Sequence, residues 1–254
     1  MTTNIRITPK KSLGQNFLVN EGVLDRIVAA AGLSPSDTVV EVGPGTGALT
    51  RRLAATGATV VAIEKDRRLI EPLRHEFATS PNVSIVEGDI LTLEPSAYGL
   101  MPSHYKVVAN IPYYLTSHLI RLMLESWPSP SLAVLMVQHE VARRMMARPP
   151  DMNLLALSVQ LYARPSLVMR VSRGSFRPMP TVDSAVVRLD IQPLEDSEKQ
   201  GNEIILALAK KAFGQKRKQL KSVFDPDALK AANIKPSARP QELSVDDWIR
   251  LASR

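Results

Sequence analysis

The sequence predicts an α/β fold, a doubly wound parallel sheet followed by a small all-α C-terminal domain. Three observations lead there. Short β-branched runs alternate with helical segments through residues 38–147, the pattern of strand–helix–strand crossovers. Gly43-Pro44-Gly45-Thr46-Gly47 separates the first of these runs from its helix. Around residues 192–199 the composition turns polar, and only helical pieces and turns follow. Residues 1–192 are therefore read as the sheet domain, with 1–20 as a basic arm, and residues 193–254 as the helical domain.

The arm carries Arg6, Lys10 and Lys11, then Leu13-Gly14-Gln15-Asn16-Phe17-Leu18. Asn20 can cap a helix whose Val23, Leu24, Ile27 and Val28 recur at helical spacing, and Gly32 stops it. Residues 38–42 form a short buried strand, with a helix over 48–56 behind the glycine turn. Residues 59–63 make the second strand, closed by Glu64, and a helix over 67–78 follows. The third strand, 83–86, runs into Glu87-Gly88-Asp89-Ile90. The fourth, 105–109, leads into Asn110-Ile111-Pro112-Tyr113-Tyr114. A fifth strand is expected at 132–137, helices at 139–147 and 153–162, and late strands at 167–171 and 185–191. Gly174 to Pro180, between those last two, is too proline-rich for a central strand. Helices over 203–213, 217–223, 225–232 and 245–252 complete the reading.

Composition narrows the function classes. With 44% apolar and 22% charged residues in 254, the chain is an ordinary globular one. No apolar run approaches the roughly 20 residues that span a bilayer, and residues 1–6 lack the apolar core of a secretory signal. A cytoplasmic setting without membrane attachment is expected. The absence of cysteine excludes disulfides, thiolate metal sites and cysteine nucleophiles. His75, His104, His118 and His139 show no metal-ligand spacing, so no metal is assigned. A net charge of +7 favours a polyanionic partner such as nucleic acid.

The glycines at 43 and 45 let the backbone approach a ligand without Cβ obstruction, and helix N-terminal amides face its polar groups. Glu64 stands about twenty residues on, at the end of the next strand, where a carboxylate binds ribose hydroxyls. Asp89 and Ile90 follow the third strand, placed to meet an adenine by hydrogen bond and apolar contact. Two ligand classes fit this pattern. A nicotinamide dinucleotide favours Gly-x-Gly-x-x-Gly, whereas here the third glycine comes one residue early. S-adenosylmethionine has the ribose and adenine but no phosphate, and leaves the end of the fourth strand free for an acceptor. There the Asn110 amide can accept from an amine, and Tyr113 offers a stacking face. Tyr114 is read as a packing residue.

Five motifs in order resemble the ribosomal RNA adenine N6,N6-dimethyltransferase family. They are Leu13 to Leu18, Glu41 to Gly47, Asn110 to Tyr113, Phe176-Arg177-Pro178-Met179-Pro180-Thr181-Val182-Asp183-Ser184-Ala185, and Ala212-Phe213-Gly214-Gln215-Lys216-Arg217-Lys218. The last is similar to the signature of the branch that modifies small-subunit RNA. The resemblance implies a Rossmann-like methyltransferase sheet and S-adenosylmethionine as cofactor. Asn16 and Leu18 are then expected to close over the cofactor, with Gln15 beside them. Gly43, with Gly45 in the same turn, takes its methionine end, Glu64 its ribose, and Asp89 with Ile90 its adenine. Asn110 contacts both the cofactor and the target amine, while Tyr113 and Phe176 stack on the two faces of the base.

The implied reaction is dimethylation of two adjacent adenosines in the 3′-terminal hairpin loop of small-subunit (16S) RNA. The implied partner is an immature small ribosomal subunit, and nothing in the chain demands more than a monomer. Lys10, Lys11, Lys216, Arg217, Lys218 and Lys221 are expected to contact RNA phosphates. Two departures from the family pattern bear on RNA contact: Thr181 where lysine is frequent, and Asp151-Met152-Asn153-Leu154 in place of a basic loop. The alternatives are a large-subunit methyltransferase of the macrolide-resistance type and a non-catalytic assembly or transcription factor on the same fold. Asn110, Gly43 and Glu64, all present, argue against the last.

Overall fold

The structure, a computed structural model, describes residues 7–10 and 13–253. Arg6 and Lys11 lie outside the described residues. The arm enters through a two-residue strand, β1 (Phe17–Leu18). Helix α1 (Glu21–Ala31) begins where the Asn20 side chain accepts the Val23 N–H, and it ends at Gly32 in the left-handed conformation. Strand β2 (Thr38–Val42), helix α2 (Ala48–Ala55), strand β3 (Thr59–Glu64), helix α3 (Arg67–Glu76) and strand β4 (Val83–Glu87) follow in strict alternation. After β5 (Tyr105–Asn110) come a 3-10 turn (Tyr113–Leu115), helix α4 (Thr116–Arg121), strand β6 (Leu132–Gln138) and helix α5 (His139–Met145).

Beyond helix α6 (Leu154–Gln160) the chain forms β7 (Ala163–Val171), β8 (Phe176–Arg177) and β9 (Ser184–Ile191). The main sheet has seven strands in the order β4-β3-β2-β5-β6-β9-β7. The strands β4, β3, β2, β5 and β6 pair in parallel; the β-branched, nearly continuous apolar sequences of β2, β3, β5 and β6 suit a sheet buried on both faces, while the edge strand β4 has no buried residue. The sheet as a whole is mixed, because β9 pairs antiparallel with β6, with Val134 opposite Arg188. Leu24, Ile27, Leu53, Val60, Val108, Val134 and Val186 share one core.

The N-terminal motif is joined to a distant one by a pairing not apparent in the sequence. Strands β1 and β8 form a separate antiparallel ribbon, with Leu18 opposite Phe176 and Phe17 opposite Arg177.

The chain divides into two compact units: Met1–Ala142 with Ser166–Ile191, and Arg143–Pro165 with Gln192–Arg254. Residues 143–165, which the sequence reading kept with the sheet, group with the helical unit. That unit holds α6, α7 (Asp196–Phe213), α8 (Pro226–Ala231) and α9 (Val245–Ala252). Trp248 is fully buried there, its ring 5.9 Å from that of Phe213. The polar stretch at 192–199, read as a domain boundary, opens α7 from Asp196 onward, because Glu195 and Glu198 form a reciprocal capping box. No helix spans 217–223: residues 214–218 are turn and bend, followed by a 3-10 turn at Leu220–Ser222.

Candidate active site

The order of strands reverses at β2 and β5, and ligands bind such a sheet beyond the carboxyl ends of its strands. Two loops leave the sheet there. The first carries Gly43 and Gly45, with φ of 70° and 59°, values that only glycine adopts without strain. Gly45 is constrained twice, since a Cβ there would stand 3.0 Å from the Phe17 ring. The second loop begins at Asn110.

Glu64, at the end of β3, is 6% exposed. Its two carboxylate oxygens accept the N–H groups of Gly45, at 3.1 Å, and Asp66, at 2.8 Å. Burial raises its pKa, and those backbone bonds oppose the rise. Asp66 caps α3 and binds Arg68, whose guanidinium holds its carboxyl well below the usual range. The same carboxylate accepts the Gln15 side-chain amide at 2.8 Å, while Gln15 Oε1 accepts the Lys10 N–H at 2.8 Å. Gln15 therefore pins the arm to the start of α3.

Asp89 accepts from Lys65 at 2.7 Å and from the Leu91 N–H at 3.1 Å. Burial pushes its pKa up, but the bond and charge of Lys65 outweigh it, and the net shift is downward. Any amine that binds Asp89 must share it with Lys65. Ile90 is buried beside it.

Asn110 donates through Nδ2 to the Asn16 carbonyl at 3.3 Å. The Asn16 side chain in turn donates to the Gly14 carbonyl at 3.2 Å. Tyr113 is half-buried, and its hydroxyl lies 2.8 Å from that of Ser184, which is fully buried. Burial raises the Tyr113 pKa, so the phenol stays protonated at neutral pH. Phe176 is only 1% exposed, because its strand pairs with β1 and its ring joins the core. Tyr114 corrects the sequence reading: it is 58% exposed, with its ring against Gly14 rather than in the core.

One cleft is lined by Gln15, Asn16, Leu18, Gly43, Gly45, Glu64, Asp89, Ile90, Asn110, Tyr113 and Phe176. It thus gathers every cofactor and target residue expected from the sequence. Glu41, Lys65 and Tyr114 line it as well. Of these, Glu41 had a legible signal, a lone carboxylate inside a β-branched run. Ser184 touches Tyr113 from 71 residues away and had none.

The expected RNA contacts are placed differently. Lys10 is exposed on the arm. Lys216, Arg217, Lys218 and Lys221 are exposed in the helical unit, on the turns after α7, and none forms an ion pair among the described residues.

A family model described as Ribosomal RNA adenine dimethylase matches residues 7–254. The chain is 40% identical to Ribosomal RNA small subunit methyltransferase A of Dehalococcoides mccartyi (strain CBDB1), over 99% of this chain and 90% of that one. Among solved structures it is similar to a dimethyladenosine transferase from Plasmodium falciparum. That likeness has a TM-score of 0.82 at 29% identity, covering 92% of this chain and 95% of the other. It is also similar to the 23S rRNA methyltransferase ErmE, with a TM-score of 0.76 at 30% identity, covering 94% and 98%.

The residues present fit S-adenosylmethionine. Glu64 can accept ribose hydroxyls, and Ile90 and Asp89 offer an apolar and a polar contact to adenine. The glycine loop leaves open space at Gly43, where an added Cβ meets nothing within 4 Å. A buried Glu41 oxygen with no hydrogen-bond partner among the described residues suits a cationic ligand.

Proposed function

This chain belongs to the ribosomal RNA adenine dimethylase family, and on that premise we propose how its cleft performs the chemistry. It is an S-adenosylmethionine-dependent enzyme that dimethylates adenine N6 in small-subunit ribosomal RNA. The observation that carries the reading of the site is the convergence of Gly43, Glu64 and Asn110 on one cleft.

When bound, S-adenosylmethionine supplies an electrophilic methyl group on a sulfonium. The protein's task is positioning. Adenine N6 is a weak nucleophile because its lone pair is delocalised into the ring. With Nδ2 committed to Asn16, the Asn110 side chain presents Oδ1 as its acceptor for the target amine. A second acceptor comes from the backbone of Ile111 or Pro112. The Pro112 carbonyl already takes the Leu115 N–H at 2.9 Å, which favours Ile111. Two such bonds favour a pyramidal nitrogen with a localised lone pair, aligned for in-line attack.

Tyr113 stacks on the base, worth about 1–3 kcal/mol, and the base is flipped out of its stem or loop to reach it. Phe176 closes the other side. Its ring is largely buried by the β1–β8 ribbon but lines the cleft. Exposed Lys216, Arg217, Lys218 and Lys221, with Lys10 on the arm and Lys11 outside the described residues, supply phosphate contacts.

The finer reading assigns residues 1–192 to cofactor and base, and residues 193–254 to ribosomal contacts. The target is two adjacent adenosines of the 3′-terminal hairpin loop, in a partly assembled subunit. A monomeric enzyme in the cytoplasm, where subunits mature, completes it. Likeness to the 23S enzyme favours large-subunit RNA as the second reading. Incubation with methyl-labelled cofactor and separate small and large subunits tests both. Label recovered as dimethyladenosine in the small subunit is expected, and label confined to the large subunit, or none, overturns the proposal.

A further inference from the structure

Glu41 is a buried carboxyl with no part in the proposed methyl transfer. Glu41 lies inside β2, with Ala62 of β3 and Val108 of β5 as its register partners. It is 1% exposed and lines the cleft, yet its Oε2 has no hydrogen-bond partner among the described residues. A carboxyl so placed is stable in only two states, protonated or facing a cation.

The groups around it do not supply that cation. From β3, Glu64 faces it with the same sign of charge. From α2 come Thr50, a buried hydroxyl that itself makes no hydrogen bond among the described residues, and Arg51, an attractive charge. Arg51 is already paired with Glu76 of α3. Burial above all, with Glu64 adding to it, pushes Glu41 up to about 8. In the ligand-free cleft it therefore carries a proton near neutrality.

The two forms of the cofactor differ by one charge. S-adenosylmethionine has a sulfonium, an ammonium and a carboxylate, for a net charge of +1 by simple valence. S-adenosylhomocysteine has a neutral thioether and is uncharged overall. We propose that Glu41 is the counter-ion for the methyl donor: it gives up its proton when the cationic cofactor enters and regains it when the uncharged product remains. It is then a specificity-determining residue that favours donor over product and aids product release. The proposal rests on the reading of this cleft as the S-adenosylmethionine site.

Proton linkage tests it without measuring activity. Calorimetric titration with S-adenosylmethionine and, separately, with S-adenosylhomocysteine, in buffers of different ionisation enthalpy near pH 7, counts the protons released by each. Both ligands carry the same α-amino group, so the difference isolates the sulfur charge. Close to one more proton is expected per donor than per product. The ratio of donor to product affinity should rise up to about tenfold per pH unit below pH 8 and flatten above it. In Glu41→Gln the difference and the pH dependence of the ratio should vanish. Equal proton counts in the unaltered protein, or an unchanged difference in Glu41→Gln, overturn the proposal while leaving the cofactor reading intact. Failure of both ligands to bind the unaltered protein overturns the cofactor reading itself. Should Glu41→Gln not fold, the comparison in the unaltered protein decides alone.

Discussion

The side-chain amide of Asn110 donates to the backbone carbonyl of Asn16 at 3.3 Å, and this bond sets which way Asn110 faces. Its nitrogen is held by the arm, which leaves Oδ1 as the acceptor that the proposed mechanism assigns to the target amine. In the proposed mechanism the arm thereby orients the acceptor for the target amine. Asn110→Ala should lower the methyl-transfer rate by about 10²–10³-fold, the loss typical of one oriented polar group at a reacting centre. RNA affinity, measured by filter binding, should change little. Full activity in that variant would remove Asn110 from the chemistry.

Tyr113 and Ser184 act as a pair, joined at 2.8 Å. Tyr113→Phe and Ser184→Ala each break the same bond, so the double variant should be no worse than either single one. Each should raise KM for RNA several-fold with kcat less affected. Tyr113→Ala also loses the stacking face and should cost about 1–3 kcal/mol more in RNA affinity. Additive losses in the double variant would show that the two act separately.

Lys216, Arg217 and Lys218 are exposed on the turn after α7. Reversing all three charges should weaken RNA binding and flatten the dependence of log affinity on log salt by about 2–3. A plot of unchanged slope would exclude this turn from the phosphate interface.

Burial raises the Glu41 carboxyl to about 8 in the folded chain, against an ordinary value of 4.5. Between those limits the folded state holds a proton that the unfolded state has lost. Stability from this group is therefore complete below the ordinary carboxylate range and declines as pH rises toward 8, by at most about 1.4 kcal/mol per pH unit. Melting temperatures of Glu41→Gln should fall less between pH 5.5 and 8 than those of the unaltered protein, given that the linked group is gone. Parallel curves would mean that Glu41 is already ionised in the ligand-free fold.

Much of this site was legible because its residues sit at strand ends. The run before Gly43, the carboxylate at 64 and the Asn-Ile-Pro-Tyr after β5 each follow an apolar β-branched segment, and a parallel sheet brings such ends to one edge. What was not legible depends on pairing between distant segments. Nothing local to Phe17 and Leu18 announces that they pair with Phe176 and Arg177, yet that ribbon buries Phe176. Tyr113 and Tyr114 are neighbours in one 3-10 turn, the first half-buried against Ser184 and the second exposed, and composition cannot distinguish the two. Nor does a β-branched run such as residues 184–191 state its direction, which β6 sets by antiparallel pairing. The start of α7 was readable in principle from the Glu195 and Glu198 spacing, but polar composition masked it.

On the proposed reading, this cleft delivers two methyl groups to adenine N6 in small-subunit RNA. Mass mapping of small-subunit RNA from cells with and without the protein tests it most directly. N6,N6-dimethyladenosine is expected at two adjacent positions of the 3′-terminal hairpin in the first sample and unmodified adenosine there in the second. Identical modification in both samples, or a change confined to large-subunit RNA, would contradict it.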